Sequence, residues 1–517
     1  MLLGVAASTA YALAGCGASA RESAAFPSTP AQGPRRGGIL RIGQMIARMN
    51  DPATYSWTEM SNQTRPICEC LTVLGADNVI RPWLLESWHP SSDLKSWMLH
   101  VRPGVRWHNG EELTATHVAW NVRRWLDPMV ASVNRGLSTF AALSPDGVEV
   151  LNAHTLALQL AQPVLSVAED FAEYSTHIVH PSFRPPLSRN PLGTGPYTLA
   201  QLRVAERCIL KRVTHTSDGK PFTYWGPEAF PDEIHFYSFE QDNQVAALAS
   251  GSVDLIYELN VDQLELAESI PHARIASVDS AQTICLRMQV DAKPFDDIRV
   301  RRAIVMAADN EAIGQLVFGR YASLAENYHV APIHPEYFAL PRAARDVAGA
   351  RRLLKDAGYA SGLDVTIAVG NNDGPWHQAC CEALRDQVKE AGIRLNVEVL
   401  PPTRYWEVWN KVPFGATSWS HRPLGTMALS QAYRSGAAWN ETHFSDPTFD
   451  RALSEAEAVL DPAQRRLKMQ RVEEILRDAA VMVQPLWRPV FGLSSEHVQG
   501  YQPHPTRQMH LGSVWLS

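Results

Sequence analysis

Residues 283–310 read TICLRMQVDAKPFDDIRVRRAIVMAADN, and the opening residues alternate, with apolar Ile284, Leu286, Met288 and Val290 set between Thr283, Cys285, Arg287 and Gln289. A period of two marks a strand with one buried face. Pro294 ends it. Asp296 and Asp297 then offer a cap and negative charge to a helix N-terminus, and Ile298, Ala303, Ala307 and Ala308 give that helix an apolar face. The chain arrives here as a strand and leaves as a new helical layer.

The 517 residues are 45% hydrophobic and 20% charged, enough for two or three units with cores of their own. Lys and Arg number 47 against 54 Asp and Glu, a net charge of −7 that is too acidic for a general nucleic-acid binder. Beyond residue 16 no run of about 18 uncharged apolar residues occurs, so the mature chain is not expected to span a membrane. Residues 1–16, MLLGVAASTAYALAGC, are apolar and uncharged, and end in Leu13-Ala14-Gly15-Cys16. That ending resembles the lipobox of bacterial lipoproteins, which implies lipidation of Cys16. The alternative is an ordinary secretion signal with a coincidental cysteine. A positive n-region is missing, which fits a true start upstream of Met1. Residues 17–37 are rich in Ala, Ser, Pro and Gly, as expected of a flexible tether, so 1–37 is read as signal or lipoprotein segment plus linker.

Six further cysteines, Cys68, Cys70, Cys208, Cys285, Cys380 and Cys381, lack ordinary zinc spacing and are read as buried or bridged. His100, His108 and His117 fall on a strand, a turn and a helix start, so their directions scatter and no metal site is expected.

Residues 81–127 contain Glu86-Ser87-Trp88, a strand in which Trp97, Leu99 and Val101 alternate with polar neighbours, the turn Arg102-Pro103-Gly104, and a second turn at Asn109-Gly110. Thr114 then caps a helix with Val118, Val122 and Trp125 on one face, and Pro128 stops it. Gly193-Thr194-Gly195-Pro196-Tyr197 is a turn, since Pro196 lacks the donor that a phosphate loop would need. Later, Asp346 caps a helix closed by Gly358. Leu363–Val369 reads as a strand, 379–391 as a helix, and Ile393–Val399 as another strand, a βαβ unit whose strands are expected to be parallel. Asp461-Pro462 opens a long amphipathic helix.

PFDDIRVRRAI with MAADNEAI, the Glu-Ser-Trp to Leu-Thr-Ala pattern, GTGPY and ALASGSVDLI together resemble the peptide-type solute-binding proteins of bacterial ABC importers, family 5, from about Gly38 onward. The resemblance implies an α/β, two-lobed periplasmic-binding-protein fold, a cluster of mixed sheets with flanking helices. Lobe I would span 38–283, with an extra subdomain at about 76–190 and completion by 490–517. Lobe II would span 292–485, with crossings near 285–292 and 484–491. It further implies hinge closure on a solute, a membrane permease and cytoplasmic ATPases as partners, and a periplasmic or cell-surface location with lipid as the only membrane attachment. No cofactor and no nucleic-acid partner are implied.

In that family the first loop borders the ligand cleft, which here brings Tyr55 and Trp57 forward. A tryptophan at the position resembling Trp419 lies beside the ligand, and Trp439 and Asn440 follow nearby. Peptide-binding members place an Asp soon after that tryptophan to take the peptide's amine. Here the run is His421-Arg422-Pro423 with no carboxylate, so Arg422 is expected to favour an anionic group. The expected solute is a peptide or peptide-like compound, with a non-peptide anionic solute, a metal chelate, an oligosaccharide or an opine-like acid as alternatives. From another class, a secreted hydrolase stays open, although no G-x-S-x-G, H-E-x-x-H, Walker A or dinucleotide motif is present.

Overall fold

A computed structural model describes residues 33–517, so Cys16 and the segment before residue 33 lie outside the described residues. The strand within 283–290 proves to be the end of a 16-residue strand, Ala273–Met288, which pairs antiparallel with Leu486–Ser495 and on its other side with Phe414–Trp419. These strands sit at the middle of a large mixed sheet. From Phe414–Trp419 the sheet continues outward through Leu363–Val369 to Ile393–Val399, and from Leu486–Ser495 through Leu255–Ile256 and Ile39–Gln44 to Glu233–Ser238, Arg207–Arg212 and Tyr197–Arg203. The long antiparallel pair therefore links one set of strands to the other. Its register breaks between Val278 and Gln282, where Ser280 donates to the Arg488 carbonyl at 2.6 Å.

The alternation at 283–290 predicts one polar, solvated face, and the structure differs. Thr283, Cys285, Arg287 and Gln289 are as buried as their apolar neighbours, because a central strand is covered on both sides. The polar groups are kept by specific partners: Thr283 donates to the Leu486 carbonyl at 2.6 Å, and Gln289 to the Asn410 carbonyl at 3.0 Å. The helix that follows is Ile298–Ala307, capped by Asp297, whose carboxylate accepts from the Arg299 N–H at 2.8 Å. Its core face is Val300, Ala303, Ile304 and Ala307, while Ile298 is exposed, since a first-turn residue beside the cap points off that face.

Leu363–Val369 and Ile393–Val399 pair in parallel around the helix Trp376–Val388, as the βαβ pattern predicts. Asp346 and Asp461 cap Val347–Asp356 and Pro462–Ala479 by accepting from Gly349 N–H and Gln464 N–H. Thr114 precedes the helix Ala115–Leu126 but makes no side-chain cap bond. Leu85–Pro90, Ser96–Val101, Thr155–Leu160 and Leu143–Asn152 form a separate four-stranded sheet, and Trp97, Leu99, Val118, Val122 and Trp125 share its core. All six described cysteines are buried free thiols. One hydrophobic cluster gathers Val245, Leu248 and Leu264 with Ile284, Ile304 and Ile367, so packing continues across position 283.

Candidate functional site

Phe414–Trp419 delivers the candidate site. The strand lies between Leu363–Val369 and Ala273–Met288, with Thr283 opposite Trp419, and the chain leaves the sheet directly afterwards as Ser420, His421 and Arg422. Beside this exit is a cavity of about 480 Å³. Trp406, Trp409, Trp419 and Trp439 line it from one side, and Thr58, Glu173, Tyr174, Thr506 and Arg507 come to it from the first and last parts of the chain. Pockets walled by segments of different lobes are the usual place for a ligand.

Beneath the indoles is a buried ion pair. Glu441 accepts from Trp419 Nε1 at 2.9 Å, from the Thr417 hydroxyl at 2.6 Å and from Arg287 Nε at 2.9 Å. The fully buried Arg287 also donates to the carbonyls of Val412, at 2.6 Å, and Trp409. One Arg–Glu pair thereby fixes the Trp419 ring and the backbone that presents Trp409, and charge-assisted bonds in a dry interior hold such geometry tightly. Trp439 packs edge-on against Trp419 at 6.0 Å, and Trp406 against Trp409 at 6.1 Å. Trp406 and Trp439 remain 48% and 49% exposed, apolar surface facing the cavity mouth.

Arg422 lines the cavity and forms no ion pair among the described residues. Its Nε donates to Gln431 Oε1 at 3.1 Å and its Nη1 to the His421 carbonyl at 3.4 Å, leaving Nη2 without a protein acceptor. Glu173 supplies the carboxylate that the sequence around Trp419 lacks. Burial pushes its pKa up, and the Arg422 guanidinium pulls it back, yet the two groups stay beyond ion-pair distance. Arg507 is already engaged, donating to Glu258 at 3.1 Å, while Arg488 donates to the other oxygen of Glu258 at 2.6 Å. Burial would raise the Glu258 pKa, but the two guanidinium groups overcome it and hold it below the ordinary value.

His421 also lines the cavity but contributes no positive charge. Its Nδ1 accepts the Ala281 N–H at 3.0 Å, so the proton sits on Nε2, which donates to Asn78 Oδ1 at 2.9 Å. Burial drives its pKa well down, with His334, His504 and Arg422 adding to the effect. Asn78 in turn donates to the carbonyls of Pro423, at 2.8 Å, and Ile333, at 3.1 Å.

The structure thus brings together Trp419, Arg422 and Trp439 of the expected ligand residues. Tyr55 is displaced from the cavity: it is fully buried, with its hydroxyl 2.8 Å from Thr64 Oγ1, so its polar end is spent inside. Trp57 is 69% exposed next to the lining residue Thr58 without itself lining the cavity. Asn440 donates to the carbonyls of Arg434 and Phe444 and shapes the loop that carries Trp439. Sequence reasoning missed Trp406, Trp409 and Glu173. The first two carried a signal in the aromatic cluster of 405–409, whereas Glu173 had none, since it converges from a distant segment.

The family model for bacterial extracellular solute-binding proteins, family 5 (middle region), matches residues 79–441, and the chain belongs to this family. It is 25% identical over 476 residues to the periplasmic oligopeptide-binding protein OppA of Escherichia coli (strain K12), covering 84% of each chain. To the dipeptide-binding protein DppE of Bacillus subtilis (strain 168) it is 24% identical over 561 residues, covering 98% of this chain and 97% of that one. Among solved structures, HbpA2 of Haemophilus parasuis superposes with a TM-score of 0.81 at 18% identity, covering 93% of this chain and 100% of the other. The unliganded open form of the periplasmic murein tripeptide binding protein MppA gives 0.79 at 20%, covering 94% and 99%. The fold is that of these two-lobed binding proteins. No helix among the described residues is long and apolar enough to cross a membrane.

Proposed function

We propose that this solute-binding protein captures a peptide or peptide-like solute between its lobes and hands it to an ABC permease driven by cytoplasmic ATPases. The observation that carries the reading is that Glu173 and Arg422 both line one cavity walled by four indoles, and neither is consumed by an ion pair. A short peptide is a zwitterion with apolar side chains, and each of its parts has a counterpart there. The oligopeptide- and dipeptide-binding relatives support the same solute class. In this reading lobe I is 38–283 plus 490–517, lobe II is 292–485, and Trp419, Arg422, Trp439, Trp406 and Glu173 contact the solute.

The chain acts as a binder, not an enzyme, and Leu13-Ala14-Gly15-Cys16 supports a lipid anchor outside the cytoplasmic membrane. Cys16→Ser, made in the chain with its native leader, is expected to move the protein from the membrane fraction to the soluble one. Unchanged retention defeats the anchor. For the solute, mass spectrometry under mild conditions identifies what co-purifies: an intact peptide is expected, whereas a hydrolysis product shows turnover and overturns the binding reading. A second reading, a non-peptide anionic solute, is favoured by the uncommitted Arg422 Nη2, and a panel of blocked and free peptides separates the two.

A further inference from the structure

The four indoles of the cleft meet in two edge-on pairs. Trp419 and Trp439 cross at 60° and Trp406 and Trp409 at 74°, with ring centroids 6.0 and 6.1 Å apart. A crossed pair leaves an angle in which a third ring can meet the face of one indole and the edge of the other, an arrangement that the aromatic quadrupole favours. Trp419 spends its N–H on Glu441 at 2.9 Å, so what it offers a ligand is ring surface and no donor. Trp406 and Trp439, the half-exposed members of the lining, add apolar area that the fold itself does not cover. Tyr174 brings a further aromatic ring to the same cavity.

Much of the polar lining is already engaged within the protein. Thr417 donates to Glu441 at 2.6 Å, Gln282 donates to the Pro505 carbonyl and accepts from Arg488, both at 3.1 Å, and the Thr506 hydroxyl is 2.7 Å from His504 Nδ1. His421 is bonded at both ring nitrogens, and Arg507 donates to Glu258. A solute covered in hydroxyls, such as a sugar, would lose water against such a wall without gaining enough partners, whereas a hydrocarbon ring needs none. With Glu173 and Arg422 kept for the charged ends of a peptide, the main surface left for its side chains is indole.

We propose, resting on the peptide reading of the cleft, that the preferred solute is a short peptide with an aromatic side chain, and that Trp406 and Trp439 set this preference by packing against its ring. Burial alone would favour any large apolar side chain, so the mark of this site is a preference for an aromatic ring over a saturated one of similar size.

The test is calorimetric titration of the full chain with the dipeptides Ala-Phe and Phe-Ala, with the same pair carrying cyclohexylalanine in place of phenylalanine, and with Ala-Ala. The better phenylalanine peptide is expected to bind about tenfold or more tighter than Ala-Ala, from the area it buries. It is expected to exceed its cyclohexyl counterpart about threefold or more, the part that only an aromatic ring can gain. Trp406→Leu and Trp439→Leu keep an apolar side chain in the lining and are each expected to bring that second ratio close to one. Because both indoles are half-exposed, neither change threatens the core, and either variant decides the matter should the other fail to fold. Equal affinity for the aromatic and saturated peptides, or a ratio that survives both substitutions, overturns this inference and leaves the peptide reading standing. Failure of every peptide to bind overturns the peptide reading and this inference with it.

Discussion

The Nε2 of His421 donates to Asn78 Oδ1 at 2.9 Å across 343 positions of sequence, and Asn78 returns two bonds to the carbonyls of Pro423 and Ile333. Asn78 belongs to the segment that carries Trp97 and Trp125, His421 to the exit of the cleft strand, so the pair ties the first part of the chain to the strand that delivers the cleft residues. Asn78→Ala leaves one donor and two carbonyls without partners, a cost of about 1–3 kcal/mol. In the proposed reading, with the solute held by closure of the lobes, that cost falls on the solute-bound state, so apparent affinity for the solute is expected to fall about 5- to 150-fold. Titration of a co-purified solute back onto the variant measures it, and an unchanged Kd shows that the contact does not contribute to closure.

The same contact predicts a pH dependence. His421 is held neutral because burial, then His334, His504 and Arg422, drive its pKa well below the ordinary 6.5. Its contribution is complete above about pH 6.5 and is lost as pH falls toward the depressed value, because a chain in which His421 is exposed takes up a proton that the buried imidazole refuses. Solute affinity is expected to weaken by up to about tenfold per pH unit below 6.5. The raised pKa of Glu173 acts in the same direction on a cationic ligand group. His421→Gln keeps a donor toward Asn78 and removes the titration, so its profile is expected to be flatter. Identical slopes in the two proteins would exclude His421 as the source.

A third expectation concerns the pair beneath the indoles. Glu441→Ala leaves Arg287, fully buried in the central strand, without its carboxylate, and frees Trp419 Nε1 and the Thr417 hydroxyl together. Removing one partner of a buried pair costs about 3–5 kcal/mol. Urea unfolding is expected to show that loss with an unchanged m-value. Trp419→Phe keeps the pair intact and is expected to cost much less stability while still weakening solute binding. Equal destabilisation by the two variants would mean that Glu441 acts through Trp419 alone.

What was legible in the sequence was local. Asp297, Asp346 and Asp461 announced their helices because a cap and its N–H are neighbours in the chain, and the strand periods at 363–369 and 393–399 required no distant partner. The polar members of 283–290 were misjudged as solvated because Arg287 finds Glu441 at a separation of 154 residues, beyond any periodicity. The site divides in the same way. Trp419, Arg422 and Trp439 follow from one short stretch and the family pattern around it. Glu173 and Arg507 reach the cavity only through the way the chain returns, and the burial that neutralises His421 is a tertiary property.

The last prediction concerns the two charges of the cleft. Sequence alone suggested an anionic preference, from Arg422 and His421 standing where a carboxylate is expected. The structure removes His421 from that balance and adds Glu173 to the cavity lining. In the proposed reading, a zwitterion is the ligand that suits this pair. A ligand carboxylate on Arg422 would be desolvated between indoles, and truncating one partner of such a pair costs about 2–5 kcal/mol, about 30-fold to several thousand-fold in affinity. Arg422→Ala is expected to lose discrimination between free and C-terminally amidated peptides. Glu173→Gln is expected to lose discrimination between free and N-acetylated ones, and each variant should keep the preference governed by the other end. A thermal-shift panel reads this without a known solute, because bound ligand stabilises by RT ln(1 + [L]/Kd). If acetylated and free peptides stabilise the native protein equally, Glu173 does not hold an amine. If amidated peptides still stabilise it as well as free ones, Arg422 does not hold the carboxylate.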